Sequence, residues 1–173
     1  MNLFYKLFAK NNRENFDISN LIWSWIGSFL GLFAIAFFHR NFLDDSDLTL
    51  VLSSFGASAV LIYGAINSPL AQPKNLIGGH IVSAIIGVFC YKLFGENLLF
   101  AAAIAVSSSI LVMQLTLTLH PPGGATALIA VIGTPQIHDL GYFFVIFPVF
   151  SGALILFLIA FIVNNIPKNR AYP

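Results

Sequence analysis

Two histidines lie in stretches apolar enough to be buried in lipid, and they have the most chemistry to offer. His120 opens the run His120-Pro121-Pro122-Gly123-Gly124-Ala125-Thr126, and His80 follows Gly78-Gly79 near the start of an apolar block. An imidazole changes charge near neutral pH, so either ring can gain a proton and pair with an anion, or relay protons during symport. A neutral ring hydrogen-bonded to a carbonyl is the purely structural alternative. Ser54, Ser58 and Thr126 add hydroxyl donors. Gly56, Gly123 and Gly124 let a ligand approach the main chain, and Ala57 and Ala125 stand beside them. The substrate-binding candidates are therefore Ser54, Gly56, Ala57, Ser58, His80, His120, Gly123, Gly124, Ala125 and Thr126, with Lys74 at the cytoplasmic mouth. The same small residues equally suit tight helix packing in lipid. His39 and His138 read as solvated loop residues.

Several chemistries are disfavoured. No Asp or Glu falls within an apolar block, so a carboxylate-lined cation path is missing. There is no nucleophile elbow, zinc-protease helix or phosphate loop, so no catalytic residue, metal or cofactor is expected and the chain does not read as an enzyme. A net charge of +1 offers no basic field for nucleic acid. Cys90 stands alone in an apolar block and reads as a packing residue.

The elements that must position these residues are membrane-spanning. At 58% hydrophobic and 9% charged residues, with a mean hydropathy of +0.86, the chain lies outside the range of soluble domains. Four blocks can each cross about 30 Å of hydrocarbon as helix: residues 21–38, 75–94, 98–114 and 141–163. Two further stretches, 48–66 and 115–132, are interrupted by Ser, Gly and Pro and read as broken. The fold class is thus an all-α polytopic bundle of four full helices plus two broken or half-helix segments. Counting six crossings with the amino terminus inside places Lys6, Lys10, Arg13, Lys74, Lys168 and Arg170 on the cytoplasmic side, with Arg40 the exception. Residues 1–20 form a cytoplasmic amphipathic segment, Leu3, Phe4, Leu7 and Phe8 recurring at helical spacing, and residues 167–173 a cytoplasmic tail.

Residues 53–61 align without gaps on residues 121–129, and each stretch has Leu-Thr-Leu shortly before it. With three crossings per half, residues 21–95 and 97–165 make an inverted repeat of the transporter kind. Pro121 and Pro122 stop helix before them, and Pro122 suits a helix start. The helix that follows is about 11 residues, or roughly 16 Å, half a bilayer. By the same logic residues 47–66 form a second half-helix from the opposite side. Two helix amino termini then face each other at the centre, a setting that attracts small anions.

The run His120 to Leu128 resembles the signature of the HPP family of integral membrane proteins. Ser54-Phe55-Gly56-Ala57-Ser58-Ala59 is similar to that family's first motif, and residues 68–75 with Gly78-Gly79-His80 to its second; Gly123 and Lys74 are small departures. The resemblance implies a single HPP transmembrane domain over residues 21–166, usually described with four spanning helices. It also implies small-anion translocation, since some relatives have been linked to nitrite transport. The expectation is therefore a transporter or channel for a nitrite-like anion in a bacterial inner membrane, with both termini cytoplasmic. Its partners are the lipid bilayer and a small inorganic anion, with homo-oligomerisation left open. A membrane scaffold or sensor without transport, or a channel for a small neutral solute, are the alternatives.

Overall fold

The structure is a computed structural model and describes residues 17–168 and 170–173. The amphipathic segment expected before residue 17 lies outside the described residues. The fold is all-helical: α1 (Ile18–His39), α2 (Asp45–Ala59), α3 (Pro73–Phe94), α4 (Leu98–Leu115), α5 (Pro121–Ile132), α6 (Pro135–Leu140) and α7 (Ser151–Asn164). A π-wound turn, Val60–Gly64, prolongs α2; another, Val145–Phe150, leads into α7; and a single 3-10 turn, Pro69–Ala71, precedes α3. Five of these segments are long and apolar enough to cross a membrane, and α5 is a shorter apolar helix. The chain is an integral, multi-pass membrane protein. Its outward face carries the large apolar side chains that lipid requires, among them Trp25, Phe29, Phe33 and Phe37 stacked in a row along α1.

Local chemistry sets the helix starts. Side chains of Asp17, Asp44 and Asn97 accept the first free N–H groups of α1, α2 and α4, while Pro73, Pro121 and Pro135 open α3, α5 and α6, where a missing N–H costs nothing. The helices pass back and forth between two faces. One face holds both described ends of the chain: the Arg170 guanidinium donates to the Asn20 carbonyl at the start of α1 and to the Tyr63 carbonyl at the end of α2. On the opposite face His39 meets Ser151, and Asp47 meets Thr134.

One expectation is corrected. The stretch 48–66 is not broken, because helix runs from Asp45 through Gly64. It contains no proline, and the hydroxyls of Thr49 and Ser53 donate to carbonyls four residues back, so these polar residues are satisfied without leaving the helix. Consequently the amino terminus of α2 is on the opposite face at Asp44, and there is no second helix start at the bilayer centre. The paired-dipole arrangement is therefore absent, and the two aligned segments differ in form: one unbroken helix and one half-helix. In the tail Arg170 and Tyr172 are buried, with the Tyr172 hydroxyl donating to the Ala71 carbonyl at 2.6 Å. The expected half-helix after His120 is present, running 12 residues from Pro121 to Ile132.

Helices α3 and α5 pack closest. Gly79, Ser83 and Gly87 line one face of α3 at four-residue spacing, and a Cβ at Gly87 would come within 2.6 Å of the Ala127 carbonyl oxygen. Gly123 faces back at Ser83 in the same seam.

Candidate functional site

On a helix, side chains four residues apart share a face, so Ser54 and Ser58 both point inward from α2 while Gly56 and Ala57 between them turn outward. Opposite them, α5 turns Pro122 and Thr126 inward, and His120 sits at its N-cap position. From α3, His80 enters between the two, seven residues from Pro73 and so about 10 Å from that helix end. Ser58, His80 and His120 are 0% exposed, and Ser54 and Thr126 are 2% exposed.

These five side chains form one hydrogen-bonded chain. Ser58 Oγ lies 2.8 Å from His80 Nε2 and 2.9 Å from His120 Nε2. His80 Nδ1 lies 2.7 Å from Thr126 Oγ1, which lies 2.9 Å from Ser54 Oγ. Ser54 also reaches the Pro122 carbonyl at 3.0 Å, and at the far end His120 Nδ1 reaches the Leu70 carbonyl at 2.8 Å. The Phe55 ring lies 4.8 Å from the His80 ring, and the two imidazoles are 5.0 Å apart. Every member is thus a hydroxyl or an imidazole, able both to donate and to accept.

The leg that brings His120 into place depends on Gly78 and Gly79. A Cβ at Gly79 would fall 2.5 Å from the His120 Cβ and 2.8 Å from the Thr118 carbonyl oxygen. Asn75 steadies the same leg by donating to the Leu119 carbonyl at 2.8 Å. The start of α5 offers fewer backbone donors than an ordinary helix, since Pro121 and Pro122 have no N–H and that of Gly123 is already bonded to the His120 carbonyl at 2.8 Å.

Of the residues expected at the site, Ser54, Ser58, His80, His120 and Thr126 come together, with Gly123 packed behind them. Gly56 and Ala57 are not in the cluster: no atom lies within 4 Å of a Cβ built at Gly56, and Ala57 is exposed. Gly124 meets only Val106 at 3.7 Å, and Ala125 is exposed. A continuous motif on a helix sweeps about 100° per residue, so half of it must face away. Lys74 is exposed at the second position of α3, on the face that holds the described chain ends.

Other expectations for polar residues change. His39 is fully buried in the last turn of α1, its ring bonded to the Ile35 carbonyl and to Ser151, and stacked on Phe147. His138 is half-buried in α6, with its ring 3.7 Å from that of Tyr91. Cys90 is a buried free thiol, as its setting suggested. Among the described residues no group of three His, Cys, Asp or Glu could hold a metal ion.

Two polar sites had no signal in local sequence. Asp47 is fully buried and accepts from the Thr134 N–H at 3.0 Å and from the Thr134 hydroxyl, tying the start of α2 to the break between α5 and α6. Among the described residues Arg170 makes four hydrogen bonds, all to neutral acceptors: the Asn20 and Tyr63 carbonyls, Ser24 and Asn164. Burial lowers the pKa of its guanidinium and pushes that of Tyr172 up to about 12.

A family model described as HPP, transmembrane region, matches residues 13–173. A transmembrane protein of Dictyostelium discoideum is 47% identical over 160 residues, covering 91% of this chain and 56% of its own length. A second Dictyostelium discoideum transmembrane protein is 45% identical over 160 residues, covering 91% and 51%. The chain thus spans about half the length of these relatives, which come from Dictyostelium rather than from the bacteria that were expected. No solved structure matches it.

Proposed function

We propose that this chain, which belongs to the HPP transmembrane family, moves a small monovalent anion of the nitrite kind across the bilayer, with the Ser54, Ser58, His80, His120 and Thr126 cluster as its binding site. The observation that carries this is the composition of the cluster: three hydroxyls and two imidazoles from three helices and a helix cap, all buried, with no carboxylate among the described residues bonded to them. Polar groups within the hydrocarbon are costly and mark functional sites. Hydroxyls and imidazoles can solvate an anion, whereas a cation site at this depth would call for carboxylates or a ring of carbonyls. The donors are side chains, so the anion displaces their mutual bonds rather than sitting on free helix N–H groups. The face with Lys74, Lys168 and the described chain ends is the cytoplasmic one on the positive-inside rule.

A second reading, a scaffold or sensor that moves nothing, is favoured by the closure of the cluster, in which each side chain is already satisfied by another. Nitrite uptake into proteoliposomes separates the two. The transport reading expects saturable uptake above protein-free vesicles, reduced by Thr126→Val. Uptake no faster than in protein-free vesicles overturns transport and leaves the scaffold.

A further inference from the structure

We infer that the five-residue chain takes up one proton, held as an imidazolium shared by His80 and His120 through the Ser58 hydroxyl, so that an anion bound there travels together with a proton. This rests on the anion-binding reading above and names the coupling ion for it.

Hydrogen-bond direction along the chain follows from its two ends. The Leu70 carbonyl can only accept, so His120 carries its proton on Nδ1 and leaves Nε2 bare in the neutral state. Nε2 must then accept from the Ser58 hydroxyl at 2.9 Å, whose single proton is thereby used and is not given to the more distant Ser54 carbonyl at 3.3 Å. Ser58 Oγ in turn accepts from His80, which places the His80 proton on Nε2 and leaves Nδ1 to accept from Thr126. The opposite setting would point two bare lone pairs at each other across 2.9 Å between Ser58 and His120. The neutral chain thus has one self-consistent polarity, every donor aimed toward Leu70.

An added proton reverses that polarity without breaking a bond. With His80 charged, both of its nitrogens donate; Thr126 then donates to Ser54, and Ser54 to the Pro122 carbonyl, which lies at 3.0 Å for this purpose. If His80 Nε2 gives its proton to Ser58 Oγ while Ser58 gives its own proton to His120 Nε2, the charge passes to His120 and His80 is left neutral with its proton on Nδ1. Both ends of the chain are backbone carbonyls, so no further acceptor is needed.

Entry is possible at one end only. Leu70 has no proton to give and His120 Nδ1 is already protonated, so the proton arrives beside Ser54 and Thr126. An acid there protonates Ser54, Ser54 passes its proton to Thr126, and Thr126 passes its own to His80 Nδ1. The acid is left as its conjugate base, and the imidazole gains one positive charge. Ser54 is nine residues into α2, about 14 Å from its start, so the chain does not reach the opposite face and cannot leak protons across as a wire. A second proton is opposed by two like charges with ring centres 5.0 Å apart. The charged residues of the surrounding helices are engaged elsewhere: Asp47 at Thr134, Lys92 over the Tyr142 ring, and Lys74 in the open. Tyr63 donates to Leu156, and Asp45, Cys90 and Tyr91 make no hydrogen bond to either ring.

The direct test is nitrogen NMR of the histidine-labelled full chain in lipid. At alkaline pH the expected result is His120 as the Nδ1–H form and His80 as the Nε2–H form, with both rings responding together to a single proton on acidification. Ser58→Ala should uncouple them, and Ser58→Thr, which keeps the hydroxyl, should restore the coupling. A neutral His80 in the Nδ1–H form at alkaline pH, or two independent protonations in the wild type, overturns the proposal. Proteoliposomes holding a pH dye then separate the two claims. One proton per nitrite above the protein-free rate, falling about tenfold or more in Ser58→Ala, supports coupling. Nitrite uptake with no matching proton overturns the coupling and leaves the anion site. The absence of both movements overturns transport and with it the coupling.

Discussion

Replacing Gly79 with alanine breaks the site without removing a polar group. The new Cβ would lie 2.5 Å from the His120 Cβ and 2.8 Å from the Thr118 carbonyl oxygen. Non-bonded carbons rest about 3.5–4.0 Å apart, so His120 must retreat by about 1 Å or more. Its two ring nitrogens point in nearly opposite directions, to Leu70 at 2.8 Å and Ser58 at 2.9 Å, so a shift of that size cannot keep both bonds and pulls at least one past useful hydrogen bonding. Overpacking a core costs about 1–3 kcal/mol. Each hydrogen bond lost between membrane helices averages about 0.6 kcal/mol, so the total is on the order of 2–4 kcal/mol. Gly56→Ala is the internal control, because nothing lies within 4 Å of its Cβ and alanine favours helix by up to about 1 kcal/mol. Unfolding of the purified protein in mixed micelles with rising denaturing detergent measures both. Gly79→Ala should unfold well before the wild type, and Gly56→Ala at or after it. Equal stabilities for Gly79→Ala and the wild type, or a larger loss for Gly56→Ala, would refute the placement of the leg against α3.

Three further outcomes follow from the same contacts. Thr126→Val keeps the shape but leaves His80 Nδ1 with no partner, at a cost of about 1–3 kcal/mol, whereas Ser53→Ala, on an exposed site bonded only to its own helix, should be nearly silent in the same unfolding assay. Asp47→Ala frees the Thr134 N–H and leaves its hydroxyl only the longer bond to Asp44 at 3.2 Å, and hydrogen exchange at Thr134 and through α6 should accelerate by tenfold or more, for about 1.5–3 kcal/mol of lost charged hydrogen bonding. Tyr172 is held neutral by burial, so the unfolded phenol ionises near 10 and the folded one near 12. Its contribution is complete below pH 10 and lost as pH rises toward 12, and Tyr172→Phe should flatten that part of the stability profile.

Residue patterns made the membrane bundle and the start of α5 legible, because proline forbids helix before it whatever the surroundings. They misled at residues 48–66, where serine and glycine are turn formers in water. In lipid no solvent competes for the backbone, so serine bonds back to its own helix and the helix continues. Residue type singles out the five clustered side chains, but it singles out Gly56, Ala57, Gly124 and Ala125 equally. Only the four-residue spacing of Ser54 to Ser58 and Pro122 to Thr126 separates inward from outward positions. The burial of His39, Arg170 and Tyr172 was not legible. Arg170 meets Asn20 across 150 positions and Tyr172 meets Ala71 across 101, and nothing in a single sequence records such distant partners.

If the buried hydroxyls and imidazoles receive a small anion, adding sodium nitrite to the histidine-labelled protein in lipid at constant ionic strength will register at the two rings. The ring-nitrogen signals of both His80 and His120 should shift saturably, and Thr126→Val should weaken the effect while His138 stays unmoved. Signals of His80 and His120 that remain fixed up to nitrite concentrations far above those supporting uptake, in protein shown to be folded, would contradict anion binding there.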